Sequence, residues 1–323
     1  MTRATQISHQ ANKKTTVTPA QILVEMLQTK RQAGSKTLDS FIAKWIAPLG
    51  AKPDEAGNWI LRIGQSRVLW SSHTDSVHSS SGWQTLAISG DTVRLRKDSN
   101  SNCLGADCAT GVWIMREMIL AGVAGLYIFH ADEESGGIGS GYIASTTPDL
   151  LDGIDYAIAF DRKGFDSVIS HQAGSRCASQ AFIDSIVPML PAGFSADSGG
   201  TFTDTASYMT QVPECTNLSV GYLAQHTAQE SQSLNHALAM RDAMLAFDET
   251  RLIAERDPAI TEPTRYDWSS YYDWQEPEPA RQRVDDLAGW IRQHPDVVAD
   301  WMTHNGVDVE ELRDWRDQLL RWN

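Results

Sequence analysis

The chain predicts a three-layer α/β/α domain with a mostly parallel central sheet, followed by a small C-terminal helical tail. Three observations predict it. Four short apolar runs, at 68–70, 125–129, 156–160 and 218–222, have the length and continuity of strands buried on both faces. Segments of helical spacing lie between them, and alternation of strand and helix is the pattern of a parallel sheet covered by helices. Finally, the composition changes near residue 256: residues 255–323 hold 16 acidic residues against 8 Arg, and six of the eleven Trp. This divides the chain into a disordered N-terminus (1–17), one α/β domain (18–255) and an acidic, Trp-rich linker and helical appendage (256–323).

The elements follow in order. Thr18 and Pro19 suit the N-cap and first position of a helix whose apolar face is Ile22, Leu23, Met26 and Leu27. A second helix spans 38–46 and stops before Pro48 and Gly50. Residues 58–63 and 67–71 read as strands, and 86–89 with 92–95 flank the turn Gly90-Asp91 as a hairpin. A helix over 109–120 puts Val112, Met115, Met118 and Ile119 on one side. A strand is expected at 167–171, helices at 175–190 and, shorter, at 203–210, and a long helix at 234–253. In the tail, 258–279 is rich in Pro, Glu and aromatics and reads as a linker or strap, and 281–292, 296–302 and 309–320 read as helices.

Charge and composition exclude several function classes. With 27 Lys+Arg against 41 Asp+Glu, a formal charge of −14, the chain lacks the basic stripe that phosphate neutralisation needs, so no nucleic-acid partner is expected. No stretch approaches the ~18 apolar residues of a membrane span, and the polar N-terminus has no secretory apolar core. Four cysteines are too few for a disulfide framework at this length. The expected setting is the reducing cytoplasm, away from membranes.

Chemistry is expected beyond the carboxyl ends of the strands. There each apolar run leads into metal-ligand residue types: His73-Thr74-Asp75 after the first, Glu133-Glu134 after the second, Asp161 after the third and His226 after the fourth. Asp107, in GADCATG at the start of the 109–120 helix, is a fifth candidate. Singly, each has an ordinary reading: a structural His, a solvated Glu pair, a helix-capping Asp. Their recurrence at successive strand ends points instead to a divalent metal site of imidazoles and carboxylates.

The ordered set His73-x-Asp75, Asp107, Glu133-Glu134, Asp161, His226 resembles the co-catalytic di-zinc exopeptidases: double-zinc aminopeptidases, zinc carboxypeptidases and aminoacylases. The motifs cover about 65–235, and the tail lies outside the resemblance. Position by position, the resemblance implies two zinc ions, with cobalt or manganese as substitutes. His73, Asp107 and Asp161 would hold one, and Glu134, His226 and the same Asp107 the other. Asp75 would orient the His73 ring, and Glu133 would be the general base acting on a metal-bridging water. The glycines of 135–141 would let adjacent Glu133 and Glu134 point to different tasks.

Many relatives insert a lid domain between the ligand Asp and the final His. The interval from Asp161 to His226 leaves no room for one, which suggests the lidless, aminopeptidase-like branch. GADCATG looks closer to the carboxypeptidase and aminoacylase branch. The leading expectation is therefore an aminopeptidase-type zinc exopeptidase. The alternatives are a zinc carboxypeptidase or N-acyl-amino-acid deacylase on the same scaffold, and a non-catalytic metal-stabilised binding protein. The substrate would be a small peptide or acylated amino acid. An amino terminus would seek Asp204, for which a helix cap is the other reading; a carboxylate terminus would seek Arg162 or Arg176. The Trp-rich tail either packs on the domain or binds a protein partner.

Overall fold

The computed structural model describes residues 17–260. The expectations for residues 1–16, and for the tail beyond residue 260, lie outside the described residues.

The central sheet has eight strands: β1 (Lys52–Pro53), β2 (Trp59–Ile63), β3 (Val68–His73), β4 (Gly125–His130), β5 (Tyr156–Arg162), β6 (Ser167–Ile169), β7 (Ser195–Asp197) and β8 (Glu214–Ser219). Their spatial order is β7-β6-β8-β5-β3-β4-β2-β1. The four central strands run parallel. The sheet as a whole is mixed, because β2 meets β4, β1 meets β2, and β6 meets β8 in antiparallel register. β3, β4 and β8 are buried along their whole length, as continuous apolar runs require. A separate antiparallel sheet joins Leu86–Ser89, Thr92–Leu95, Ser231–Ser233 and Tyr222–Leu223, so the expected hairpin forms.

Helices cover both faces. α1 (Pro19–Met26) starts at Thr18, whose hydroxyl accepts from Gln21 N while the Gln21 side chain accepts from Thr18 N. α2 (Lys36–Trp45) is capped by Ser35. α3 (Ala106–Ala121) packs on β3 and β5, with α1 and α6 (Leu234–Leu245) against it. Its closeness to the sheet depends on Gly111, where a Cβ would stand 2.3 Å from Phe160 O and 2.6 Å from Ser72 Oγ. α4 (Ile138–Thr146) packs on the 3₁₀ turn Asp204–Tyr208, which itself lies on β5 and β8.

Three expected elements change. The last central strand begins at Glu214, four residues before its apolar run, because Glu214 is itself buried. Its carboxylate accepts from Ser179 N and Oγ and from Glu255 N and Arg256 N. The same contact moves the start of the helix expected from 175: Ser179 caps α5 (Gln180–Ile186), while Ser175–Arg176 pairs with His171–Gln172 as a small hairpin. The helix expected to run to 253 ends at Leu245, since Phe247 turns inward to lie edge-on against Trp70, 5.1 Å between ring centres. The helix expected at 203–210 is a 3₁₀ turn. All four cysteines are buried free thiols. Among the described residues no helix is long and apolar enough to cross a membrane.

Candidate metal centre

His73 ends β3 and Asp161 lies near the end of the neighbouring parallel strand β5, so strand pairing alone makes them neighbours. His73 Nε2 is 3.2 Å from Asp161 Oδ1. The close approach of α3 brings in Asp107, whose Oδ1 is 2.9 Å from the same Nε2. Asp107 and Cys108 leave helical geometry at the start of α3, and the peptide between them is cis. The other oxygen of Asp107, Oδ2, is 3.2 Å from His226 Nε2, which in turn lies 3.0 Å from Glu134 Oε1. His226 is not on a strand, as its place after the fourth apolar run suggested. β8 ends at Ser219, and His226 sits in a loop with φ +64°.

The five candidate ligands thus form two triads that share Asp107, one oxygen to each. Their spacing suits cations. Donors around a tetrahedral zinc with ~2.0–2.1 Å bonds sit about 3.3 Å apart, close to the 2.9–3.2 Å seen here. A single proton on His73 Nε2 cannot serve Asp107 and Asp161 together, whereas an ion can. Cys108 Sγ also approaches the first triad. Burial pushes its thiol well up, and it donates to Phe160 O at 2.9 Å, so it stays a packing group.

The electrostatics carry the same signal. Burial and the Asp107 charge raise Asp161 to about 6. Burial and the charges of Asp161, Asp204 and Glu134 raise Glu133 to about 9. Hydrogen bonds to Asp107 and Glu134 lift His226 to about 10. Burial opposes charge on His73, but the Asp161 charge and hydrogen bonds to Asp107 and Asp161 drive it well above its usual range. Carboxylates gathered under cover at this density call for positive charge.

Asp75 has two tasks. Its Oδ1 lies 3.4 Å from His73 Nδ1, the ring atom turned away from the triad. Its two oxygens also accept from Glu133 N and Glu134 N, each at 3.1 Å. One carboxylate therefore sets both the imidazole and the Glu-Glu turn. Asp132, at φ +54°, opens that turn, so the two Glu leave strand alternation.

Sequence reasoning missed the groups that hold the ligands. Thr203 Oγ1 donates to Asp161 Oδ2 (2.6 Å) and the Tyr222 hydroxyl to Asp161 O (2.9 Å), while Asn217 brackets the Asp161 peptide. Glu230, fully buried, accepts from Leu104 N, Gly105 N and Asp107 N. The buried Arg31 guanidinium donates to Thr74 O, Gly105 O and Asp107 O. Asn217 and Tyr222 were findable as polar groups around an apolar run; Arg31 and Glu230 had no local signal.

The remaining candidates separate. Arg162 lines the cleft above the triads, with Glu133 and Lys163, and pairs with Asp197 at 3.0 Å. Arg176 lines a different pocket, beside Met209 and Arg256. Asp204 is buried 3.4 Å from His130 Nδ1, with neither carboxylate oxygen hydrogen-bonded and burial raising it to about 7. It does not line the cleft and is no helix-capping side chain, so both expectations for it are corrected. The cleft holds about 110 Å³.

No protein-family model matches the chain, and no curated protein sequence matches it. Solved structures do. The aminopeptidase PepT of Bacillus cereus is similar at 13% identity, TM-score 0.59, over 72% of this chain and 98% of that one. A tripeptidase of Staphylococcus aureus follows at 14% identity, TM-score 0.57, over 71% and 96%. A TET aminopeptidase of a marine-sediment thaumarchaeote follows at 10% identity, TM-score 0.55, over 75% and 99%. At such identities the likeness is one of fold: the chain carries the α/β fold seen in these aminopeptidases. That is the fold expected of a co-catalytic zinc exopeptidase.

Proposed function

We propose that the chain is a zinc-dependent exopeptidase that hydrolyses a terminal peptide bond on an aminopeptidase-type scaffold. The observation that carries this reading is Asp107, whose two oxygens face two separate donor pairs, with Glu133 lining the cleft beside them. His73, Asp107 and Asp161 would hold one ion, and Asp107, Glu134 and His226 the other. Two divalent ions there supply Lewis acidity toward a scissile carbonyl and lower the pKa of an attacking water.

The residues of the chain do the rest. Glu133 takes the proton of the attacking water and passes it to the leaving amine. Asp75 fixes the His73 tautomer and, through two backbone N–H groups, the position of Glu133. Glu230 and Arg31 hold the Asp107 loop from opposite sides. A cleft of about 110 Å³ has room for a terminal residue rather than a chain passing through. The similar structures include enzymes named aminopeptidase and tripeptidase, which supports the same chemistry.

Metal analysis and a peptide assay on one preparation test the proposal. Two metal ions per chain, with chelator-sensitive release of terminal residues, are expected. A chain that binds no divalent metal and cleaves no peptide would refute it.

A further inference from the structure

The charges of the cleft wall divide unevenly. Its four carboxylates, Asp107, Glu133, Glu134 and Asp161, are all engaged in the candidate metal and base set. No further carboxylate faces the cleft, since Asp204 lies buried beneath it. Two cations do: Arg162 and Lys163. Four carboxylates balance two divalent ions, so the loaded cleft keeps an excess of positive charge.

Arg162 is aimed there by a departure from regular sheet geometry. On a regular strand, Asp161 and Arg162 would point to opposite faces. The β5–β8 register slips between Asn217 and Ser219, opposite this point, and such a slip re-aims side chains. Both residues consequently line one cleft. Asp197 Oδ2 accepts from Arg162 Nη2 at 3.0 Å and from Ser167 Oγ at 2.8 Å, which anchors one edge of the guanidinium. Arg162 Nε is buried with no hydrogen-bond partner. Lys163 Nζ makes no ion pair among the described residues.

We propose that Arg162 and Lys163 form a carboxylate subsite, so that preferred substrates are short peptides with a carboxylate close to the scissile amide. Two sources share that chemistry: the α-carboxylate of a di- or tripeptide, and an acidic side chain. The subsite rests on the exopeptidase reading but can be tested apart from it.

Zinc-loaded Glu133→Gln protein is titrated calorimetrically with Ala-Ala, Ala-Ala-amide and Glu-Ala-amide, and the wild type is assayed on the same three. Ala-Ala is expected to bind about 10- to 100-fold more tightly than its amide, the range for a hydrogen bond to a charged group. Tight Glu-Ala-amide binding assigns the acidic side chain as the source, and weak binding assigns the α-carboxylate. Lys163→Met, at an exposed site, and Arg162→Met should each raise KM for the carboxylate-bearing peptide, with kcat and metal content changed far less. Arg162→Lys should recover part of the loss. Equal binding of all three peptides, or of the acid and its amide to the Met variants and the parent alike, overturns the subsite. Hydrolysis without carboxylate preference sinks this inference and leaves the exopeptidase reading intact. Carboxylate-selective binding with no hydrolysis by the wild type does the reverse.

Discussion

His73 and His226 present the same atom, Nε2, to the two oxygens of Asp107, yet the two halves of the centre are built differently. The first half is carried by strand ends. The His73 side chain is 1% exposed, its ring is backed by Asp75, and its partner Asp161 is gripped by Thr203, Tyr222 and Asn217. The second half is carried by turns. His226 is 47% exposed in a left-handed loop conformation, and Glu134 follows a left-handed Asp132. Strand pairing makes the first half rigid before any ion arrives. The second depends on loops, whose backbone has fewer fixed partners. The difference teaches that one co-catalytic pair can join a preformed site to an adaptable one across a single carboxylate.

The largest effect is expected where both halves meet. Glu133→Gln should lower turnover by about 10²- to 10⁴-fold, the range for general acid–base catalysis, and elemental analysis should still find two metals per chain. Near-normal turnover would remove Glu133 from the mechanism.

The comparison is tested most directly by His226→Ala against His73→Ala. His226→Ala should keep the ion of the first half and the parent Tm. His73→Ala should lose ions from both halves, because Asp107 loses its fixed neighbour, and should lower Tm by leaving buried carboxylates unpaired. Equal metal loss in the two variants would break the distinction.

A smaller effect is expected from Glu230→Ala, which strands three buried N–H groups. It should cost about 1–3 kcal/mol of stability in denaturant unfolding and weaken metal binding by about 10- to 100-fold. Retention of full affinity would show that the Asp107 loop holds itself.

The smallest effect concerns acid. Burial, aided by the Arg31 charge, depresses His78 to about 3. Its Nδ1 accepts from Arg31 N at 3.1 Å, so it is held neutral under the first half. A depressed folded pKa means that the unfolded chain binds the proton first. The contribution of His78 is therefore complete above about pH 6.5 and falls as pH drops toward 3. Tm of the parent should fall more steeply between pH 7 and 5 than that of His78→Gln; parallel curves would remove His78 as the cause.

How legible the molecule was depended on locality. Apolar continuity marked β3, β4 and β5, and Thr18 and Pro19 marked the start of α1. The boundaries that moved, at Glu214, Ser179 and Leu245, moved because a distant partner claimed a local residue. Glu214 reaches Ser179 across 35 positions, and Phe247 is drawn onto Trp70. In the site, the ligand types and their order were readable because strand ends place whatever follows them at one edge. Arg31 and Glu230 were not, because a buried clamp on backbone N–H and C=O groups leaves no spacing to read.

By itself, then, the sequence determined which strands are buried, where their ends lie and which His and carboxylate types follow them, since periodicity and chain order are local properties. Tertiary structure alone decided that Asp107 faces both ways, that Asp204 is sealed under the site, and that Arg162 turns toward the cleft beside Asp161. Each of these depends on how closely α3 approaches β5 at Gly111, on a register slip between β5 and β8, or on burial, and all three arise only when segments far apart in the chain are packed together.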